Sequence, residues 1–206
     1  MRVKLFIFDL DGTIVDSSST VKKLFQKIKD ENKADYMTKR DFNYASSLGG
    51  KKMIEYIFGN KVNSDFLLDE FRKKYNNISL VGEKLFPQIL DAFIFIRSKK
   101  LPIALLTNKP RNLTEKVLMH HKLKPFFDYV LTGSDIIKKP SPDGIQKILF
   151  HYKINKEDVV FVGDSKIDSD TAKAANIKFI YYCPNRRNIT GNIQYYKIIK
   201  KFSDLI

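Results

Sequence analysis

Two aspartates, Asp9 and Asp11, stand where an apolar run ends: Val3-Lys4-Leu5-Phe6-Ile7-Phe8 gives way to Asp9-Leu10-Asp11-Gly12-Thr13. Side chains alternate along an extended chain, so residues two apart can project to one side, and both carboxylates can converge on one ligand. With no lysine or arginine between them they repel each other, and a divalent cation is the simplest remedy. Gly12 lets the chain turn away, so that backbone N–H groups at Gly12 and Thr13 can face an oxyanion.

Three later clusters carry matching chemistry. Thr107-Asn108-Lys109 follows Ile103-Ala104-Leu105-Leu106, Lys138-Lys139-Pro140-Ser141-Pro142 forms a proline-fixed loop, and Gly163-Asp164-Ser165-Lys166-Ile167-Asp168 follows Val159-Val160-Phe161-Val162. Carboxylates suit oxygen-ligated Mg²⁺, a lysine adds fixed positive charge, and a hydroxyl with backbone amides can hydrogen-bond phosphoryl oxygens; together they suit phosphoryl transfer. No histidine or cysteine lies in these clusters, which argues against zinc. His120, His121 and His151 fall near the ends of predicted helices, where a cation suits the terminal carbonyls, and are read as structural.

The elements that must position these residues follow from periodicity. The short apolar runs ending in polar clusters read as buried strands of a parallel sheet, at Val3–Phe8, Ile103–Leu106, Tyr129–Leu131, Val159–Val162 and Phe179–Tyr182. Between them the spacing predicts helices from Pro87 to about Lys100, from Arg111 to His121, from Pro142 to Tyr152 and from Asp168 to Ala175. Strands alternating with helices imply a doubly wound α/β parallel sheet with a Rossmann-like core. Ligands of such sheets bind beyond the strands' carboxyl ends, so Asp9, Asp11, Thr107, Lys139, Asp164 and Asp168 should share one crevice. After Thr13 no second strand is expected until about residue 102; amphipathic helices at Ser18–Asn32, Thr38–Leu48, Lys51–Phe58 and Ser64–Tyr75, broken by Gly49-Gly50 and Gly59-Asn60, read as a helical insert. The division expected is a core of residues 1–15 and 83–206 and a cap of residues 16–82. Tyr195–Ile199 could add a last strand.

The chain has 206 residues, 43% of them hydrophobic, with one cysteine and a formal charge of +14. That is ample for a buried core, and a lone Cys183 fits a small buried residue in a reducing, cytoplasmic setting. The N-terminal apolar run is too short for a membrane span and is interrupted by Asp9 and Asp11. The lysines are scattered through every helical segment rather than gathered on one face, which argues against nucleic acid as the partner. A positive field would still favour capture of small phosphorylated anions.

These four clusters, in this order, resemble the motifs of the haloacid dehalogenase superfamily of phosphatases, and most closely its phosphoglycolate phosphatase branch. The resemblance implies that Asp9 is the nucleophile, forming an aspartyl phosphate, and that Asp11 is the general acid and base. It implies Mg²⁺ held by Asp9, the Asp11 main-chain carbonyl and Asp164, with Asp168 behind them positioning a metal-bound water or Lys139. Thr107 and Asn108 would bind phosphoryl oxygens and Lys139 would offset charge. Asp11 argues against phosphonoacetaldehyde hydrolases and dehalogenases, which lack that aspartate. Phosphoglycolate is the first candidate substrate; sugar-phosphate or nucleotide phosphatases, pyrophosphatases and phosphomutases share the motifs, and a non-catalytic regulatory or nucleic-acid-binding protein is the reading from another class. In the insert, Gly49-Gly50 followed by Lys51 and Lys52 is a candidate contact for the substrate's non-phosphate end.

Overall fold

Strand β1 (Leu5–Phe8) lies at the centre of a six-stranded parallel sheet and is buried along its whole length, as its unbroken apolar sequence requires. In this computed structural model, which describes residues 3–32, 42–184 and 193–205, β1 pairs with β4 (Ile103–Leu106) on one side and β6 (Val159–Gly163) on the other. Phe6 stands opposite both Ile103 and Val160. Outside them run β5 (Tyr129–Leu131) beside β4, and β7 (Lys178–Tyr182) then β8 (Lys197–Ile199) beyond β6, giving the order β5-β4-β1-β6-β7-β8. The last strand is shorter than expected: Tyr195 and Tyr196 lie outside it and are largely exposed.

The period of two along β1 sorts its side chains between two apolar layers. Leu5 and Ile7 pack with Ile145 and Ile148 of α7 (Asp143–Tyr152) and Ala172 of α8 (Lys166–Ala175). Phe6 and Phe8 join the opposite layer with Phe93 and Ile96 of α5 (Ile89–Ser98) and Val117 of α6 (Arg111–His120). Helix α8 begins two residues before the expected Asp168, because Ser165 caps it: the Ser165 hydroxyl accepts from the Asp168 N–H, and the Asp168 carboxylate accepts from the Ser165 N–H. Cys183 is buried, and His151 stacks on Tyr129 at 4.1 Å between ring centres, a packing role.

The expectation of no strand between the first motif and residue 102 is corrected by a two-stranded antiparallel ribbon. β2 (Val15–Asp16) leaves the core and β3 (Lys84–Leu85) returns to it, with Val15 opposite Leu85. Between them lie α1 (Ser18–Glu31), α2 (Phe42–Leu48), α3 (Gly50–Phe58) and α4 (Ser64–Asn77). The start expected for the second of these helices, Thr38 to Asp41, lies outside the described residues, as does most of the basic stretch after Pro184. Phe25 organises the insert: it stacks on Phe71 at 5.0 Å and meets Phe58 edge-on at 5.6 Å. Lys116 of α6 ties insert to core by donating to the carbonyls of Tyr75 (2.9 Å), Asn76 (2.8 Å) and Ile78 (2.5 Å), the negative end of α4. No helix among the described residues is long and apolar enough to cross a membrane.

Candidate active site

The carboxyl ends of β1, β4 and β6 deliver Asp9, Thr107 and Asp164 to one edge of the sheet, and the loop before α7 brings Lys139 between them. Lys139 Nζ donates to Asp9 Oδ1 at 2.6 Å and to Asp168 Oδ1 at 2.5 Å, with all three side chains almost completely buried. Burial alone would pull the Lys139 ammonium down, but Asp168 and Asp9 hold it above its ordinary value, so it is a fixed cation. Burial pushes the Asp9 carboxyl up, against Lys139, and pushes Asp164 up as well, with Asp168 and Asp9 adding repulsion.

That concentration of desolvated carboxylates fits a cation. Asp9, Asp164 and Asp168 each offer an oxygen within 4.8 Å of the others, and an all-oxygen donor set suits Mg²⁺. Both Asp168 oxygens are engaged, Oδ1 with Lys139 and Oδ2 with the Ser165 N–H and hydroxyl. Asp9 Oδ2 and Asp164 Oδ2 accept no hydrogen bond among the described residues and remain for a metal. Asp168 therefore acts on Lys139, one of the two roles its position suggested.

Several expected phosphate contacts do something else. The Gly12 N–H donates to the Val15 carbonyl at 2.9 Å, so it does not face the crevice as an open donor. Gly12 matters for space: it sits at φ +86°, and a Cβ there would stand 2.2 Å from Asp164 Oδ2. The Thr13 hydroxyl points at Asp164 Oδ1, a long 3.3 Å contact, while the Thr13 N–H makes no hydrogen bond among the described residues. Asn108 ties two loops together: its Nδ2 donates to the Lys139 carbonyl at 3.1 Å and its Oδ1 accepts the Lys139 N–H at 2.8 Å. Thr107 is buried, its oxygen accepting from the Lys109 N–H at 3.1 Å, while its own hydroxyl proton has no acceptor among the described residues.

Asp11 is clasped by residues that the sequence reading did not assign. Lys109 Nζ donates to Asp11 Oδ1 at 2.8 Å and Oδ2 at 3.1 Å, and the Ser17 hydroxyl donates to Oδ1 at 2.7 Å. Lys109 also lies 4.3 Å from the ring centre of Tyr75, whose hydroxyl donates to the buried Glu83 at 2.9 Å. Burial works against the Lys109 charge, yet Asp11, Tyr75 and Glu83 hold its ammonium above the usual value. The signal was present in the triplet Thr107-Asn108-Lys109, whose third residue immediately follows two site positions. Beside this group opens a small cavity of about 40 Å³, open on one side, between the insert and the core. Gly49 and Gly50 line it, but Lys51 and Lys52 do not: Lys51 pairs with Asp65 at 2.6 Å on an exposed face, and Lys52 is exposed.

With this geometry in view, the comparisons are consistent with one another. The profile of the haloacid dehalogenase-like hydrolases matches residues 6–182. A phosphoglycolate phosphatase of Aquifex aeolicus is 28% identical over 178 residues, covering 85% of this chain and 83% of its own. That of Escherichia coli strain K12 is 29% identical over 192 residues, covering 82% and 76%. Among solved structures, a haloacid dehalogenase-like family hydrolase of Streptococcus pneumoniae superposes with a TM-score of 0.84 at 21% identity, covering 98% of this chain and 96% of that one. A mutant of CbbY from Rhodobacter sphaeroides in complex with xylulose-(1,5)bisphosphate gives 0.81 at 19%, covering 99% and 96%.

Proposed function

The chain belongs to the haloacid dehalogenase-like hydrolases and is a phosphatase, and from that premise we propose that it is a Mg²⁺-dependent phosphatase of small monoesters acting through an aspartyl phosphate at Asp9. The first candidate substrate is phosphoglycolate, after the relatives that bear that name. The observation that carries the reading is the pairing of a buried lysine, Lys139, with the first carboxylate, Asp9, while a second carboxylate, Asp11, is held separately by Lys109 and Ser17. Two acids in different settings can take different roles.

Asp9 attacks phosphorus through one carboxylate oxygen, forming a P–O bond as the bond to the leaving oxygen breaks, and Asp11, which enters this step protonated and turned from Lys109 toward the leaving group, delivers its proton to that oxygen. A water then attacks phosphorus, Asp11 takes the water's proton, and the bond to Asp9 breaks to release inorganic phosphate. Lys139 offsets negative charge on Asp9 and on the phosphoryl oxygens, and Thr107 offers its free hydroxyl proton to one of them. Asn108 holds the Lys139 loop in register with β4. Asp9, Asp164 and the Asp11 main-chain carbonyl would hold Mg²⁺, which supplies charge neutralisation when bound. The division of the chain into a core of residues 1–15 and 83–206 and a cap of residues 16–82 belongs to the same proposal, with the β2–β3 ribbon as the joint.

The test is a rapid quench of protein with substrate followed by mass analysis of the peptide carrying Asp9. A phosphoryl mass increment there, absent in Asp9→Asn together with turnover, is the expected result. Wild-type-like turnover by purified Asp9→Asn would refute the assignment.

A further inference from the structure

Charges around the cavity between insert and core are unbalanced. Its lining has one carboxylate, Asp11, and three cations: Lys109, Arg72 and Lys138. Asp11 and Lys109 neutralise each other through two short contacts, leaving Arg72 from α4 and Lys138 from the core loop. The Lys138 ammonium makes no hydrogen bond and no ion pair among the described residues, although the residue is half-buried. The other two buried lysines that face the crevice are matched to carboxylates, Lys139 to Asp9 and Asp168 and Lys109 to Asp11. Arg72 has only a loose contact with Asp69, at 3.7 Å.

The surroundings of Lys138 add positive potential instead of relieving it. A Cβ on Gly50 would lie 3.4 Å from Lys138 Nζ, so the ammonium sits against the first turn of α3, which carries no acidic residue and presents the positive end of a helix. Burial first and the Arg72 guanidinium second push the Lys138 ammonium below its usual range. Gathering like charges without a counter-ion is unfavourable, and an anion entering the cavity would reverse that.

We propose that Arg72 and Lys138 form an anion-binding subsite that selects phosphate monoesters whose leaving group carries a second negative charge, a carboxylate or another phosphate. The subsite rests on the phosphatase reading above. It replaces Lys51 and Lys52 as the contact for the non-phosphate end and makes that contact from both sides of the cavity, one cation from the insert and one from the core. A doubly charged substrate would then draw the insert and core together over itself.

The experiment compares kcat/KM for two substrate pairs that differ in the second charge: phosphoglycolate against 2-hydroxyethyl phosphate, and fructose 1,6-bisphosphate against fructose 6-phosphate. The wild type should prefer the charged member of at least one pair by roughly tenfold or more, as expected for a charge-assisted hydrogen bond. The pair that shows the preference identifies carboxylate or phosphate as the tail. Arg72→Gln and Lys138→Gln should each lower that ratio about tenfold, mainly through KM, and Lys138→Arg should retain most of it. Ratios near one for both pairs in the wild type, or ratios unchanged in both Gln variants, would overturn the subsite. Calorimetric binding of phosphonoacetate against methylphosphonate to the Mg²⁺-loaded wild type supplies a measure free of turnover: equal affinities would overturn the subsite. Failure to hydrolyse any of the four substrates would refute the catalytic reading, whereas the binding comparison would still judge Arg72 and Lys138.

Discussion

Lys109→Met is the substitution whose cost the geometry defines most closely. The methionine keeps an unbranched apolar stem but removes the ammonium that contacts both Asp11 oxygens, at 2.8 and 3.1 Å, where the two side chains are only 9% and 8% exposed. Solvent screening at such exposure is slight, and among the described residues the Asp11 carboxylate would be left with the Ser17 hydroxyl as its one side-chain donor. Removing one partner of a buried pair costs ~3–5 kcal/mol, because the remaining charge stays desolvated. Loss of the ammonium at 4.3 Å from the Tyr75 ring adds to this and loosens the contact between insert and core. Urea unfolding should therefore report a destabilisation of roughly 3 kcal/mol or more. In the double variant Lys109→Met with Asp11→Asn, no carboxylate is stranded, so a cycle should return a coupling energy of about 2–3 kcal/mol. The single variant should also lose at least roughly tenfold in kcat, because Asp11 is no longer held in one orientation. A destabilisation below about 1 kcal/mol with no coupling would refute the view that Lys109 organises Asp11.

Three further outcomes follow from the same geometry. Gly12→Ala should cost ~1–2 kcal/mol from the positive φ alone, and more as the Cβ displaces Asp164, so calorimetric Mg²⁺ affinity should fall with stability; unchanged affinity would contradict the close approach. Chelation should abolish turnover and added Mg²⁺ restore it in the wild type but not in Asp164→Ala, a loss of several kcal/mol of charge stabilisation; full activity in excess chelator would exclude the metal. Glu83 is buried, accepts from Tyr75 through Oε1 and leaves Oε2 without a partner, and burial raises its carboxyl above 4.5. A folded value raised in this way stabilises below the unfolded value, and the contribution is lost as pH rises through the folded value. Glu83→Gln should thus match the wild type in thermal unfolding near about pH 4 and exceed it near about pH 8; a lower melting temperature at the higher pH would refute this.

The parts legible in the sequence are those whose signal is local. An apolar run that stops at Asp9, Thr107 or Asp164 marks both a buried strand and the site residue at its end, so sheet, crevice and reacting carboxylates could be read together. Side-chain partnerships could not: Lys109 finds Asp11 across 98 residues, Asn108 finds the Lys139 backbone across 31, and Thr13 finds Asp164 across 151. The two-residue strands at Val15 and Lys84 were missed for a similar reason, because each is too short to show a period and exists only by pairing with the other.

The misplaced lysines of the insert teach something different, since their signal was present and incompletely used. Met53, Ile54, Ile57 and Phe58 are the buried residues of α3, and their spacing of three and four marks the inward face of that helix. Gly50 lies three and four positions before Met53 and Ile54, on that face; Lys51 and Lys52 fall between the inward positions and must point away. The same rule on α4 sets Leu68, Phe71 and Tyr75 inward, with Arg72 four positions after Leu68 and three before Tyr75, at the margin of that stripe where a long side chain can reach the cavity. A positive charge on an insert of this kind is therefore better judged by its helical phase against the buried residues than by its nearness to a glycine turn.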